Sequence, residues 1–304
     1  MLDLRGIWAP IPTPLKKNKE DIDRQAIRTL VDFLIDGGVD GILPLGTSGE
    51  FALLSPDERR DVLDAVVDQV NGRVPVVAGV SDPSPEIVIH YSKEAQDLGA
   101  DAVIATPVYY FRTTNDGLYQ YYKVISQSID LPLMIYNIPD FTGVIVPLDV
   151  VERLAREKLV VGMKFTQYDL LNLFKFIEAA GNMIAIFTGS DAMAYTNLEF
   201  GGKGAVIGVA NVAPKIASRI YDEFVSGNLK KASEAQWKLM PVIEAIGTGK
   251  FPAGLKQAMN LIGVPVGGVR VPIADLDRAE KAAVKSLLFE AGLLDSTNKK
   301  KKGK

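Results

Sequence analysis

Short apolar runs alternate with helical patterns from Ile7 to about residue 226, and this alternation restricts the fold more than any other feature of the chain. The apolar runs are Ile7–Ile11, Gly41–Leu45, Val74–Ala78, Ala102–Thr106, Leu133–Asn137, Val160–Phe165, Ile184–Thr188 and Ala205–Val209. Helical patterns follow them, among them Asp23–Ile35, Ser55–Val70, Ser84–Leu98, Asn115–Ser128, Pro147–Arg156 and Leu170–Ala180. Alternation at this spacing implies a parallel sheet, and eight units of about 25–30 residues imply a closed (β/α)8 TIM barrel. An open doubly wound sheet would need a glycine-rich phosphate turn after its first strand. The chain has Pro10-Ile11-Pro12-Thr13-Pro14 there, poor in backbone donors, so the barrel is preferred. After residue 226 the pattern is helical only, with Leu229–Ile246, Phe251–Ile262 and Ala274–Ala291. The division read from this is a barrel over 1–226, a three-helix extension packed on it over 227–294, and a lysine-rich tail over 295–304 expected to be disordered.

Composition narrows the chemistry. The chain has no cysteine, which excludes disulfides, thiolate zinc sites and a cysteine nucleophile. Its one histidine, His90, lies in the amphipathic stretch from Ser84 and reads as a solvated helix position; a multi-histidine metal site is excluded. A net charge of −3 gives no footprint for nucleic acid. No apolar run reaches the roughly eighteen residues of a membrane span, and no basic-then-apolar leader is seen, so a cytoplasmic location is expected. An enzyme of this composition must work with Lys, Tyr, Ser, Thr, Asp, Glu and backbone amides.

The run Val160-Val161-Gly162-Met163-Lys164-Phe165 carries a lysine near its C-terminal end. An isolated buried ammonium is costly, so the amine must be paired, neutral or covalently used. Alternatively its stem is buried and its head reaches water. Parallel barrels build their sites from strand C-terminal ends and the loops after them. Those positions hold Gly46-Thr47-Ser48-Gly49-Glu50, Thr106-Pro107-Val108-Tyr109-Tyr110, Tyr136-Asn137-Ile138-Pro139 and Gly189-Ser190-Asp191. The first permits a tight turn with backbone N–H groups beside two hydroxyls, suited to a carboxylate, though ordinary capping would use the same residues. Tyr136 shares strand parity with Met134 and by itself could be core packing. Together, an amine nucleophile, a phenol and hydroxyls on converging strand ends supply covalent and proton-transfer chemistry.

On these motifs, with Gly204-Ala205-Val206, the chain resembles the pyruvate-dependent class I aldolases that include dihydrodipicolinate synthase, N-acetylneuraminate lyase and 2-keto-3-deoxygluconate aldolase. The resemblance runs from about Gly6 to Leu294. It implies that Lys164 forms a Schiff base with pyruvate and that Tyr136 shuttles protons, helped by Thr47 or Ser48 and by Tyr109. It further implies that Gly46, Thr47 and Ser48 hold the pyruvyl carboxylate. No metal or separate cofactor is implied. The assembly implied is a homotetramer built from two tight dimers, with Tyr110 crossing the dimer interface; the partners are a 2-keto acid and an aldehyde.

For the aldehyde, the residues disagree. The synthases carry a carboxylate-binding arginine two residues after the proline of Tyr-Asn-x-Pro, and this chain has Phe141. Arg112 in a neighbouring loop is the candidate replacement. Thr166 and Gly189-Ser190-Asp191 are similar to the hydroxyl-binding residues of the deoxygluconate aldolases, with Val206 completing the candidate site. Ala210-Asn211-Val212 and Lys238-Leu239-Met240-Pro241 look more like the synthases. The expectation drawn is cleavage of a 2-keto-3-deoxy sugar acid; dihydrodipicolinate synthesis is the alternative and sialic acid cleavage the third reading. A ligand-binding member without turnover is the minor one.

Overall fold

The computed structural model describes residues 2–294, so the lysine-rich tail lies outside the described residues. Eight parallel strands form the sheet: β1 Gly6–Pro10, β2 Gly41–Leu43, β3 Val77–Gly79, β4 Ala102–Ala105, β5 Leu133–Asn137, β6 Gly162–Phe165, β7 Ala185–Thr188 and β8 Gly204–Val206. Except between β2 and β3, each pairs with its neighbour in sequence, and β1 also pairs with β8. The remaining seam, between β2 and β3, closes through a single bridge of Ile42 to Val76. Pro75 has no N–H for the ladder there, although its carbonyl accepts from Ile42 N at 3.0 Å. The expected barrel is thus present, with β3 displaced toward its C-terminal end relative to the apolar run.

Side-chain alternation divides the strands between two cores. Trp8, Leu43, Val77, Ile104, Met134, Tyr136, Phe187 and Val206 fill the barrel interior. Ile7, Ile42, Val103, Ile135, Met163, Phe165 and Ile186 face outward against the helices. The interior admits the Trp8 indole because position 41 is glycine: a Cβ there would sit 2.4 Å from the ring. This parity also puts Lys164 inward, in register with Tyr136 on β5.

Helices Arg24–Asp36, Pro56–Val70, Pro85–Leu98, Asn115–Ser126, Leu148–Arg156, Leu170–Ala180, Ala194–Glu199 and Pro214–Val225 ring the barrel. The second begins with a capping box of Ser55 and Glu58. The extension departs from the three helices expected. Its first stretch breaks at Leu239 into Leu229–Lys238 and Met240–Ile246, because Pro241 cannot donate the N–H a continuous helix needs there. Ala253–Leu261 and Arg278–Glu290 follow, giving four. Leu239, Val242, Leu255, Met259, Val284 and Leu288 are buried in the same cluster that covers the barrel's outer face, so the extension shares the barrel's core.

Candidate active site

Lys164 leaves β6 at the C-terminal face of the barrel and is only 3% exposed. Its Nζ donates to Tyr136 Oη at 3.0 Å, and Tyr136 Oη lies 3.1 Å from Thr47 Oγ1. Amine, phenol and hydroxyl thus form one chain at the base of a cavity of about 250 Å³. The lysine fits because its neighbour on the next strand end is glycine. A Cβ on Gly189 would stand 2.8 Å from Lys164 Cε and 2.1 Å from Thr166 Oγ1.

The Gly46–Gly49 turn supplies the second wall. Leu45 and Glu50 bracket it in the left-handed region, at φ 59° and 56°, uncommon for residues with a side chain. Thr13 Oγ1 donates to Gly49 O at 2.7 Å, Gly49 N to Gly46 O, and Glu50 N to Thr47 O. Thr47 and Ser48 line the cavity, whereas Gly46 lies behind them and serves the turn's backbone.

Thr166, Gly189, Ser190, Asp191 and Val206 also line it. Thr166 Oγ1 is buried without a hydrogen-bond partner among the described residues, which leaves it available to a bound hydroxyl or carboxylate. Ser190 Oγ donates to Gln167 O at 3.0 Å, so its proton is already used, while its lone pairs stay free. Asp191 accepts from Val209 N at 2.8 Å. Burial pushes its carboxyl up to about 6, against the pull of that N–H and of the Lys164 charge.

A raised folded-state pKa means that Asp191 favours folding when protonated and loses that contribution as pH rises through about 6. Relative to Asp191→Asn, the wild type is therefore expected to lose roughly 1–2 kcal/mol of unfolding free energy between pH 4 and pH 7. Urea unfolding of both proteins across that range measures the difference; a difference independent of pH contradicts the assignment.

Other sequence candidates lie elsewhere. Tyr109 is half-buried and lines an adjoining apolar cleft with Thr47, Phe51 and Pro272. No hydrogen bond joins it to Tyr136 or Thr47 among the described residues, so within one chain it stands outside the series Lys164–Tyr136–Thr47. Tyr110 is 89% exposed at φ 76°. Arg112 is exposed and is not part of the cavity wall. His90 is an exposed helix residue facing Glu94.

Sequence reasoning missed Asp140, Gln167, Tyr168 and Phe251, all of which line the cavity. Phe251 comes from the extension and meets Phe141 edge-on, with ring centroids 6.4 Å apart. Only the position of Asp140 and Gln167 beside motif residues could have flagged any of these. Among the described residues, no group of three or more His, Cys, Asp or Glu side chains could hold a metal ion. No described helix is long and apolar enough to cross a membrane.

The sequence matches the Dihydrodipicolinate synthetase family over residues 3–291. A 4-hydroxy-tetrahydrodipicolinate synthase of Syntrophus aciditrophicus is 35% identical over 290 residues, covering 95% of this chain and 99% of that protein. Further curated relatives of similar identity carry the same name. A prophage protein of the dihydrodipicolinic acid synthase family from E. coli K12, solved in complex with pyruvate, superposes with a TM-score of 0.92. It is 29% identical and covers 96% of this chain and 99% of its own. A dihydrodipicolinate synthase described as the first monomeric variant superposes with a TM-score of 0.91 at 33% identity, covering 95% of this chain and 97% of its own.

Proposed function

This chain belongs to the Dihydrodipicolinate synthetase family, and from that membership we propose that it is a pyruvate-dependent class I lyase with Lys164 as its Schiff-base residue. The observation that carries the reading is the contact of Lys164 Nζ with Tyr136 Oη, backed by Thr47, at the base of the cavity. The amine adds to the ketone carbon of the 2-keto acid and water departs, leaving an iminium. The iminium withdraws electrons from the adjacent carbon, so loss of a proton there gives an enamine. The enamine attacks the aldehyde carbon, the aldehyde oxygen takes a proton through Tyr136, and water releases the product from Lys164. Every step reverses for cleavage. Thr47 and Ser48, with the backbone of their turn, hold the 2-keto acid's carboxylate.

For the aldehyde, the relatives' names support condensation with aspartate semialdehyde, and they do not support the sugar-acid expectation. The synthase is therefore the substrate reading adopted. One observation favours a second: among the described residues Lys164 is the sole cation on the cavity wall, and its rim presents Asp140, Phe141, Tyr168 and Phe251. A carboxylate-bearing aldehyde meets no fork-shaped cation there, whereas Thr166 and Asp191 suit hydroxyls. The test is the ratio of kcat/KM for aspartate semialdehyde and glyceraldehyde, with pyruvate and one enzyme preparation. The synthase reading expects aspartate semialdehyde to be favoured tenfold or more; a ratio of one or below returns the sugar acid. Phe141→Arg is expected to shift the ratio toward aspartate semialdehyde by about one to two decades, the scale of a charged hydrogen bond of about 1.5–3 kcal/mol.

The tetramer belongs to the same proposal. Tyr110 and Phe111 form an exposed edge-on aromatic pair, with centroids 5.1 Å apart, that a second copy would cover.

A further inference from the structure

The turn assigned above to the 2-keto acid's carboxylate is fastened from behind by the C-terminal extension. Glu50, the residue that ends it, turns its side chain inward, and that side chain is 2% exposed. Its Oε1 lies 2.5 Å from Nζ of Lys256, whose side chain is 1% exposed on the helix Ala253–Leu261. Its Oε2 accepts from Arg270 N at 2.8 Å. Lys256 Nζ donates in addition to Gly268 O at 2.8 Å. The Arg270 guanidinium reaches Glu58 at 2.7 Å and 2.9 Å and Leu53 O at 3.1 Å, gripping the start of the helix Pro56–Val70. Both carboxylate oxygens of Glu50 are thus held by residues that follow the barrel.

Three features argue that this pair does more than pack. A buried ion pair is seldom more stabilising than apolar residues of the same volume, so cohesion alone does not account for two full charges at this depth. The backbone at Leu45 and Glu50 is in a conformation that side chains disfavour, and it persists only where surrounding groups over-determine it. A bare carboxylate just behind a carboxylate-binding turn would also repel the ligand, and Lys256 cancels that charge.

We propose that Glu50 and Lys256 are positioning residues for the 2-keto acid: their pair fixes Thr47 and Ser48 where the ligand's carboxylate binds, which makes the C-terminal extension part of the substrate site. The proposal rests on the pyruvate reading of that turn. Neither residue touches the ligand; both act through the turn's geometry.

The test compares the wild type with the double variant Glu50→Gln/Lys256→Met, which leaves no buried unpaired charge and keeps an acceptor for Arg270 N. Pyruvate is trapped on the enzyme with borohydride over a range of pyruvate concentrations. The variant is expected to need at least tenfold more pyruvate for half-maximal trapping. Its rate at saturation should fall by a smaller factor, because Lys164 and Tyr136 are untouched and only their hydroxyl partner Thr47 is displaced. Amide hydrogen exchange at Gly49 and residue 50 should quicken by tenfold or more. Should the double variant not fold, Lys256→Arg, which keeps the charge but changes its reach, is expected to raise the half-saturating concentration in the same way. A folded variant with wild-type half-saturation overturns the proposal, as does a lower melting temperature with unaltered pyruvate dependence. If the wild type itself traps no pyruvate, the pyruvate reading fails. The strut is then judged by exchange alone, and unchanged protection at Gly49 and residue 50 overturns it.

Discussion

Lys164→Ala is expected to trap no pyruvate under borohydride and to lose on the order of 10⁵-fold or more in turnover, the scale on which enzymes respond to loss of their nucleophile. The expectation follows from the cavity's inventory. Among the described residues its wall holds one amine, that of Lys164; the remaining polar groups are hydroxyls, carboxylates, an amide and backbone. A hydroxyl can add to a ketone but cannot form an iminium, so without Lys164 no electron sink exists at this site. Alanine suits the strand, whose ladder to β5 and β7 is made by backbone alone. The variant should therefore fold, and circular dichroism checks that it does. Lys164→Arg separates charge from nucleophilicity: it retains a cation over the Tyr136 ring, where Lys164 Nζ now stands 4.2 Å from the centroid, yet it should be as inactive as the alanine variant. In the wild type, one reduced pyruvyl group per chain should map to the peptide carrying Lys164. Undiminished trapping in Lys164→Ala, with the label on another lysine, sinks the assignment.

What could be read from the sequence follows from how local each constraint is. Strand periodicity depends on neighbours in the chain, so all eight strands were visible, as was the inward parity shared by Tyr136 and Met134. Lys164 stood out because a charge inside an apolar run has few explanations. Contacts between distant segments left weaker marks. Thr47 meets Tyr136 from 89 positions away, and only the barrel's closure joins them. Phe251 read as the first residue of a helix, but it reaches the cavity rim because the extension folds back over the barrel. Lys256 was the least legible. A lysine in a helical pattern reads as a solvated face, and its burial makes sense only once Glu50 stands opposite. Tyr109 follows the strand-end residues Thr106-Pro107, and within one chain its ring lines the adjoining cleft, which it shares with Thr47. The leaning toward a sugar acid came from Thr166 and Gly189-Ser190-Asp191. Such short motifs weigh less than similarity along the whole chain, although Phe141 still marks where the acceptor assay must look.

The proposed proton relay is best isolated at Tyr136. Tyr136→Phe deletes one oxygen and leaves the ring packed among the other residues of the barrel interior, so the fold is expected to hold. That oxygen is the shared partner of Lys164 Nζ and Thr47 Oγ1, and without it neither group reaches the other. Proton transfer is needed when the carbinolamine loses water, when the enamine forms and when the aldehyde oxygen is protonated, so kcat should fall by about 10²–10⁴-fold. The amine itself is intact, and a full equivalent of pyruvate should still be trapped after long incubation. Thr47→Val, which keeps the phenol but removes the group that orients it, should cost less than Tyr136→Phe. Exchange of the methyl deuterons of labelled pyruvate into water follows imine–enamine interconversion without any aldehyde present. It should slow in Tyr136→Phe by a factor comparable to the fall in kcat. A variant that retains kcat within tenfold of the wild type would remove Tyr136 from the relay. A variant that never forms the adduct would instead assign the phenol a role in building the imine alone.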